Sequence, residues 1–134
     1  MSLEVELILR LLMAAVLGSI IGFQREHAKK PAGLRTLSLI SLGAALFTVI
    51  STYGFNGGAD ISRVAANIVT GVGFIGAGVI FHVGRGDILM GLTTAASVWV
   101  VAAIGMAAGA GLYLLSAVVA VITVIILAIP KIQH

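Results

Sequence analysis

Apolar residues in this chain come in five long runs, separated by short polar or glycine-containing interruptions. The runs cover about residues 3–23, 34–53, 63–82, 92–108 and 112–129. A helix that crosses a bilayer needs about 20 apolar residues, so five spans use most of the chain and leave short connections. The pattern therefore predicts an all-α, polytopic membrane protein. It is read as one transmembrane domain, residues 1–134, with five helices packed through glycine-rich faces and no soluble domain.

The third run sets the expected arrangement. Asn67 to His82 carries Gly71, Gly73, Gly76 and Gly78. Each glycine would weaken a soluble helix by roughly 1 kcal/mol relative to alanine, whereas in a bilayer glycines let helix backbones approach closely. At 100° per residue, Asn67, Gly71, Phe74, Gly78 and His82 share one stripe, with Arg63 and Thr70 beside it. Gly73 and Gly76 point elsewhere, so the expectation is a central helix packed tightly on several sides. The first run has a similar small-residue face in Ala14, Gly18 and Gly22, spaced by four. Glu6 and Arg10 precede that face and pair at i,i+4, which predicts an interfacial salt bridge with Arg10 snorkelling outward.

The interruptions carry the punctuation. Gln24 to Arg35 holds Arg25, Lys29, Lys30 and Arg35, and is broken by Pro31 and Gly33. Gly54 to Ser62 offers Asp60 or Ser62 as a helix cap. Val83 to Gly91 is a short connection, and its Arg-Gly-Asp tripeptide at Arg85 is read as chance. Gly109 to Gly111 makes an uncharged turn, and Pro130 with Lys131 ends the last run. Ser38, Ser41, Thr48 and Ser51 in the second span can bond to their own helix or to a neighbour.

Composition agrees with a bilayer as solvent. The 134 residues are 60% hydrophobic and 10% charged, against about 25% charged in ordinary soluble domains. Cysteine is absent, which excludes disulfides, thiolate zinc sites and cysteine nucleophiles. The net charge of +3 lies between apolar runs, a pattern of membrane topology rather than of nucleic-acid binding. Arg25, Lys29, Lys30, Arg35, Arg85 and Lys131 fall on one side, and Arg10 and Arg63 on the other. Basic loops stay inside, so the N-terminus is expected outside and the C-terminus in the cytoplasm.

Little in the chain points to catalysis. Gly71-x-Gly73-x-x-Gly76 has the letters of a dinucleotide loop but lacks the strand and βαβ unit that motif requires. His27, His82 and His134 lack metal-ligand spacing, and the carboxylates are dispersed. No enzyme, metal or cofactor is expected. Asn67, an amide at membrane depth, reads either as a hydrogen-bonding link between helices or as a ligand for a solute or ion. Arg35 and Arg63 lie in first helical turns, where a cation opposes the helix dipole unless an anion is near.

Three stretches resemble the MgtC/SapB family of bacterial inner-membrane proteins. They are Gly22-x-x-Arg25 with Ala32-Gly33-Leu34-Arg35-Thr36; Arg63-x-Ala65-Ala66-Asn67 through Gly71-x-Gly73-Phe74-x-Gly76-Ala77-Gly78; and Gly91-Leu92-Thr93-Thr94-Ala95-Ala96 with Trp99. The resemblance implies an inner-membrane protein linked to growth in scarce magnesium and, in some members, regulation of the ATP synthase. Gln24 stands where the family often has glutamate, Val100 where some members have cysteine, and the soluble C-terminal domain of longer members is not expected here. Arg25, Arg35, Thr36, Asn67, Thr93 and Thr94 become the candidates for contact with a ligand or partner. Gly18, Gly22, Gly71, Gly73, Gly76 and Gly78 are the candidates for helix packing. Two functions fit: a protein that binds or regulates another membrane complex, or a small oligomeric channel or transporter for an ion or solute. Expected partners are the lipid bilayer and either further copies or another membrane complex, the ATP synthase among them.

The orientation is testable because cysteine is absent. With single cysteines at Lys30, Asn56, Gly86 and His134, an impermeant thiol reagent on intact cells should label only the Asn56 position. Labelling at Lys30 instead would mean an inverted topology.

Overall fold

The structure, a computed structural model, describes residues 2–54, 61–83 and 88–130. Five helices follow in order: α1, Leu3–His27; α2, Leu34–Val49; α3, Ile61–Val83; α4, Ile88–Gly109; and α5, Tyr113–Leu127. A π-helical turn, Ile50–Gly54, prolongs α2. Among the described residues, four of the five expected spans form helices long and apolar enough to cross a membrane. The fifth has 15 residues, or ~22 Å at about 1.5 Å per residue, less than a full hydrocarbon core.

Local chemistry explains the limits of α1. The Ser2 hydroxyl accepts a hydrogen bond from the Val5 N–H at 3.3 Å, capping the start. Glu4 and Glu6 occupy the first turn and Arg25 and His27 the last, the arrangement the helix dipole favours. At the far end the Lys30 N–H donates to Arg25 O at 2.9 Å and the Lys29 N–H to Glu26 O at 3.0 Å. This pair of bonds is a Schellman closure, with Lys29 at φ 58° where glycine is usual.

The most enclosed helix is α4. It packs against α1, α2, α3 and α5, and 50% of its spanning window is buried, against 17% for α3. The expected central role of the Asn67–His82 helix therefore passes to α4. The tight contacts follow the same shift. A Cβ on Gly18 would stand 2.7 Å from Leu37 O, and one on Gly22 2.7 Å from Leu34 Cα, so α1 and α2 meet backbone to backbone. On the other side of α2, a Cβ on Gly109 would stand 2.6 Å from Ala45 O, and one on Gly105 would overlap the Ser41 carbonyl. Gly76 makes ordinary contact with Ala95 at 3.4 Å.

The remaining α3 glycines behave differently. Within one chain, Gly71, Gly73 and Gly78 have no atom within 4 Å of where a Cβ would stand. Their packing role, expected from the sequence, has no partner among the described residues of this chain. Glycine count alone does not say which glycine faces a neighbour and which faces outward.

Between the tight helices the core is filled by Ile21, Leu37, Val98, Val101 and Ile104, all essentially fully buried. Hydroxyls are absorbed by carbonyls: Ser41 donates across to Ala14 O at 2.7 Å, and Thr48 and Thr123 to their own helices at 2.8 and 2.7 Å. Ser19 and Ser38 share a bond of 2.7 Å between α1 and α2. The Ser51 hydroxyl in the π-helical turn is buried without a partner.

Adding even a methyl group at Gly105 should force α2 and α4 apart. Gly105→Ala is expected to lower thermal stability in detergent by about 1–3 kcal/mol or more. Gly78→Ala, which meets open space, should leave the melting curve near wild type. Equal melting of the two variants would contradict this packing.

Candidate functional site at the elbow between α1 and α2

Two of the family-like stretches converge on Arg25. This side chain, in the last turn of α1, is only 4% exposed. Its Nε–H and Nη2–H donate to the Pro31 carbonyl at 3.1 and 2.9 Å. Nη2 also donates to the Thr94 hydroxyl on α4. Among the described residues Arg25 has no carboxylate partner. A buried cation without a counter-ion is costly, and two features offset that cost. Neutral oxygens accept its protons, and the negative end of the α1 dipole lies beside it.

The connection from Ala28 to Gly33 is shaped to deliver that carbonyl. Lys29 and Ala32 adopt left-handed backbone conformations, φ 58° and 57°, which non-glycine residues seldom hold. Gly33 closes the elbow where a Cβ would stand 2.9 Å from Glu26 Oε1. Such strain persists only where surroundings over-determine it, and it is commonest at functional sites. Arg35 and Thr36, in the first turn of α2, and Thr93, on α4, are exposed. Thus Arg25 and Thr94 are brought into contact, while Arg35, Thr36 and Thr93 present outward.

Gln24 sits beside Arg25 and turns toward α5. Its amide Nε2–H donates to Val124 O at 2.9 Å, and its Oε1 is buried without a partner. An ionised glutamate has no proton to donate to that carbonyl, so the departure from the family pattern suits the contact with α5.

A second polar cluster lies near the other end of α1, and the sequence reading saw only part of it. Arg10 does pair with Glu6, at 3.1 Å, but at 7% exposure it is buried rather than snorkelling. It also donates to Gly109 O at 3.0 Å and to the Tyr113 hydroxyl at 3.4 Å, and it lies 5.4 Å from the centre of the Tyr53 ring. Gly111 turns the chain here at φ 85°, and a Cβ there would stand 2.9 Å from the Arg10 guanidinium. The available signal was the coincidence of one arginine in an apolar run with tyrosines near the ends of two others.

Asn67 belongs to neither cluster. It lies on α3 beside a groove of about 610 Å³ between α2 and α3, lined by Gly43, Phe47, Val64, Gly71 and Ile75 among others. The expectations placed on Asp60, Arg85, Asp87, Lys131 and His134 fall outside the described residues, as does the third connection's tripeptide.

Removing the Thr94 hydroxyl should leave Arg25 short of an acceptor. Thr94→Val is expected to destabilise the protein by about 1–3 kcal/mol, measured by thermal unfolding in detergent. Thr93→Val, one residue away but exposed, is the control and should melt like wild type.

Comparison with known proteins places these elements in context. Residues 11–134 match the MgtC family. The chain is 49% identical over 129 residues to the protein of Escherichia coli K12 called "Putative magnesium transporter YhiD", covering 91% of this chain and 59% of that one. It is 48% identical over 99 residues to "Protein MgtC" of Brucella abortus, covering 74% of this chain and 40% of the relative. It is 44% identical over 108 residues to an uncharacterized protein of Synechocystis, covering 81% and 45%. The chain thus spans between two-fifths and three-fifths of the length of these relatives. No solved structure matches it. With four long apolar helices, and with the elbow and glycine stretches in a match that runs from α1 through α5, this multi-pass membrane protein belongs to the MgtC family.

Proposed function

We propose that this chain supports growth when magnesium is scarce by docking on another membrane protein through the outer face of α3. The observation that carries this reading is the uncovered small-residue face of that helix. Ala66, Thr70, Gly73 and Ala77 are all exposed and recur at intervals of four, three and four, which places them on one stripe. Helices associate in bilayers by close packing of small residues rather than by hydrophobicity. A face of this kind suits a partner helix better than it suits lipid alone. The names of the relatives and the family membership support the link to magnesium. By family resemblance the ATP synthase is one candidate complex, and a further copy of this chain is another.

Arg35 and Asn67 are assigned supporting roles. Arg35 is exposed at the start of α2, where its planar fork can grip a carboxylate or phosphate of a partner. Asn67 presents an amide at membrane depth, where hydrogen-bonding groups serve a partner or ligand. The assumed setting is the bacterial inner membrane, with the N-terminus outside and the C-terminus cytoplasmic.

Ion transport is the second reading, favoured by the name of the Escherichia coli relative. Against conduction through one chain stand the filled core and the carbonyl-bonded hydroxyls described above. Magnesium flux into liposomes holding only the purified protein would favour transport over docking.

The docking reading is tested by Gly73→Leu, which adds bulk where no atom lies within 4 Å. The variant should insert and melt like wild type, yet fail to restore low-magnesium growth to a deletion strain. Full restoration at matched expression would remove the outer face of α3 from the mechanism.

A further inference from the structure

The groove between α2 and α3 has a depth and a mouth that select its occupant. Its α3 lining runs from Val64 to Ile75, ~16 Å of helix at about 1.5 Å per residue. Its α2 lining runs from Leu39 to Phe47, or ~12 Å on the same rise. A bilayer's hydrocarbon core is about 30 Å thick, so the groove is about one leaflet deep. A spanning helix, whether from a second copy or another protein, would need a channel twice as long. The walls are apolar apart from Asn67, and Gly43 and Gly71 leave them hollow, with no atom within 4 Å of a built Cβ. The volume, about 610 Å³, lies within the ~300–1,000 Å³ typical of ligand clefts.

The mouth carries a cation. Arg63 immediately precedes the first lining residue, Val64, and lies in the first turn of α3, a turn without acidic residues. It is exposed and has no ion pair among the described residues. A cation at a helix start opposes the dipole, and an anion beside it relieves that opposition. Asn67 follows one turn further in, ~6 Å along the axis at about 1.5 Å per residue.

We propose that this groove holds one phospholipid of the adjoining leaflet. The lipid phosphate pairs with the Arg63 guanidinium at the interface. Its glycerol ester carbonyl accepts a hydrogen bond from the Asn67 amide one turn deeper. One acyl chain lies over Gly43 and Gly71, between Phe47 and Ile75. The phosphate suits Arg63 because guanidinium–phosphate bonds are charge-assisted and two-pronged. The amide also gains the partner that hydrocarbon alone cannot offer. This site goes beyond the docking face: Gly73 and Ala77 do not line the groove, so filling one leaves the other intact.

Native mass spectrometry of the full chain, purified in mild detergent from its own membranes, tests the assignment. The wild type should retain one phospholipid per chain through detergent washing. The double variant Gly43→Leu with Gly71→Leu should lose it while keeping the wild-type melting temperature in lipid-free detergent, since both side chains enter open space. Arg63→Gln should lower retention about tenfold, the loss of a charge-assisted bond, and Arg63→Lys should retain most of it. Retained lipid equal in wild type and the double variant would overturn the proposal. So would a double variant that changes oligomer size while no lipid mass is found on the wild type, because a second copy would then be the occupant.

Discussion

Everything in this molecule depends on how closely α2 approaches the two helices on either side of it. Gly18 and Gly22 open α1 to it, and Gly105 and Gly109 open α4, so that carbonyls of α2 stand where side chains would otherwise be. In lipid there is no hydrophobic gain from bringing two apolar helices together, so van der Waals contact and interhelical hydrogen bonds must hold them. Backbone-to-backbone approach maximises both. It brings Ser41 within reach of Ala14 O and Ser19 within reach of Ser38. It also fixes the start of α2, and with it the elbow that aims Pro31 at Arg25.

That approach explains why two arginines can be buried on one membrane helix. Arg10 and Arg25 are solvated by different means. Arg10 has an acid, a tyrosine hydroxyl, an aromatic face and a carbonyl. Among the described residues, Arg25 has a carbonyl and a hydroxyl, together with the favourable end of the α1 dipole. Each cluster ties α1 to α4 or the segment after it, so the charges fasten the same helices that the glycines bring together. A buried guanidinium is strongly destabilising when a partner is removed, and both clusters therefore specify the arrangement rather than merely decorate it.

Against this firm set, α3 is the lightly held element. It leans on α4 through Val72, Ile68 and Gly76 and leaves a hollow against α2. Gly71 lines that hollow while Gly73 and Gly78 are exposed, and its first turn carries a cation with no ion pair among the described residues. An element with one packed side and two open ones is suited to meet other molecules, and here the two open sides differ in shape. One is a smooth stripe of small residues and the other a hollow of one-leaflet depth.

The sequence by itself determined the class of protein, its helix sequence and several local devices. Twenty-residue apolar runs in a chain with 10% charge have one stable solution in lipid, because every backbone group must bond within its own segment. The Gly18–Gly22 face and the Glu6–Arg10 pair were equally legible, since both are fixed by spacing along one helix. Which helix stands at the centre was decided only by tertiary structure. Glycine-rich α3 and alanine-rich α4 are both helices with small faces, and spacing records a face without recording what covers it. The same limit hid Gly105 and Gly109 as contact points and left Gly71, Gly73 and Gly78 looking packed. Arg25 meets Thr94 across 69 residues of chain, and Arg10 meets Tyr113 across 103. Such pairs arise from how the helices pack together around α4, and no local pattern encodes that arrangement.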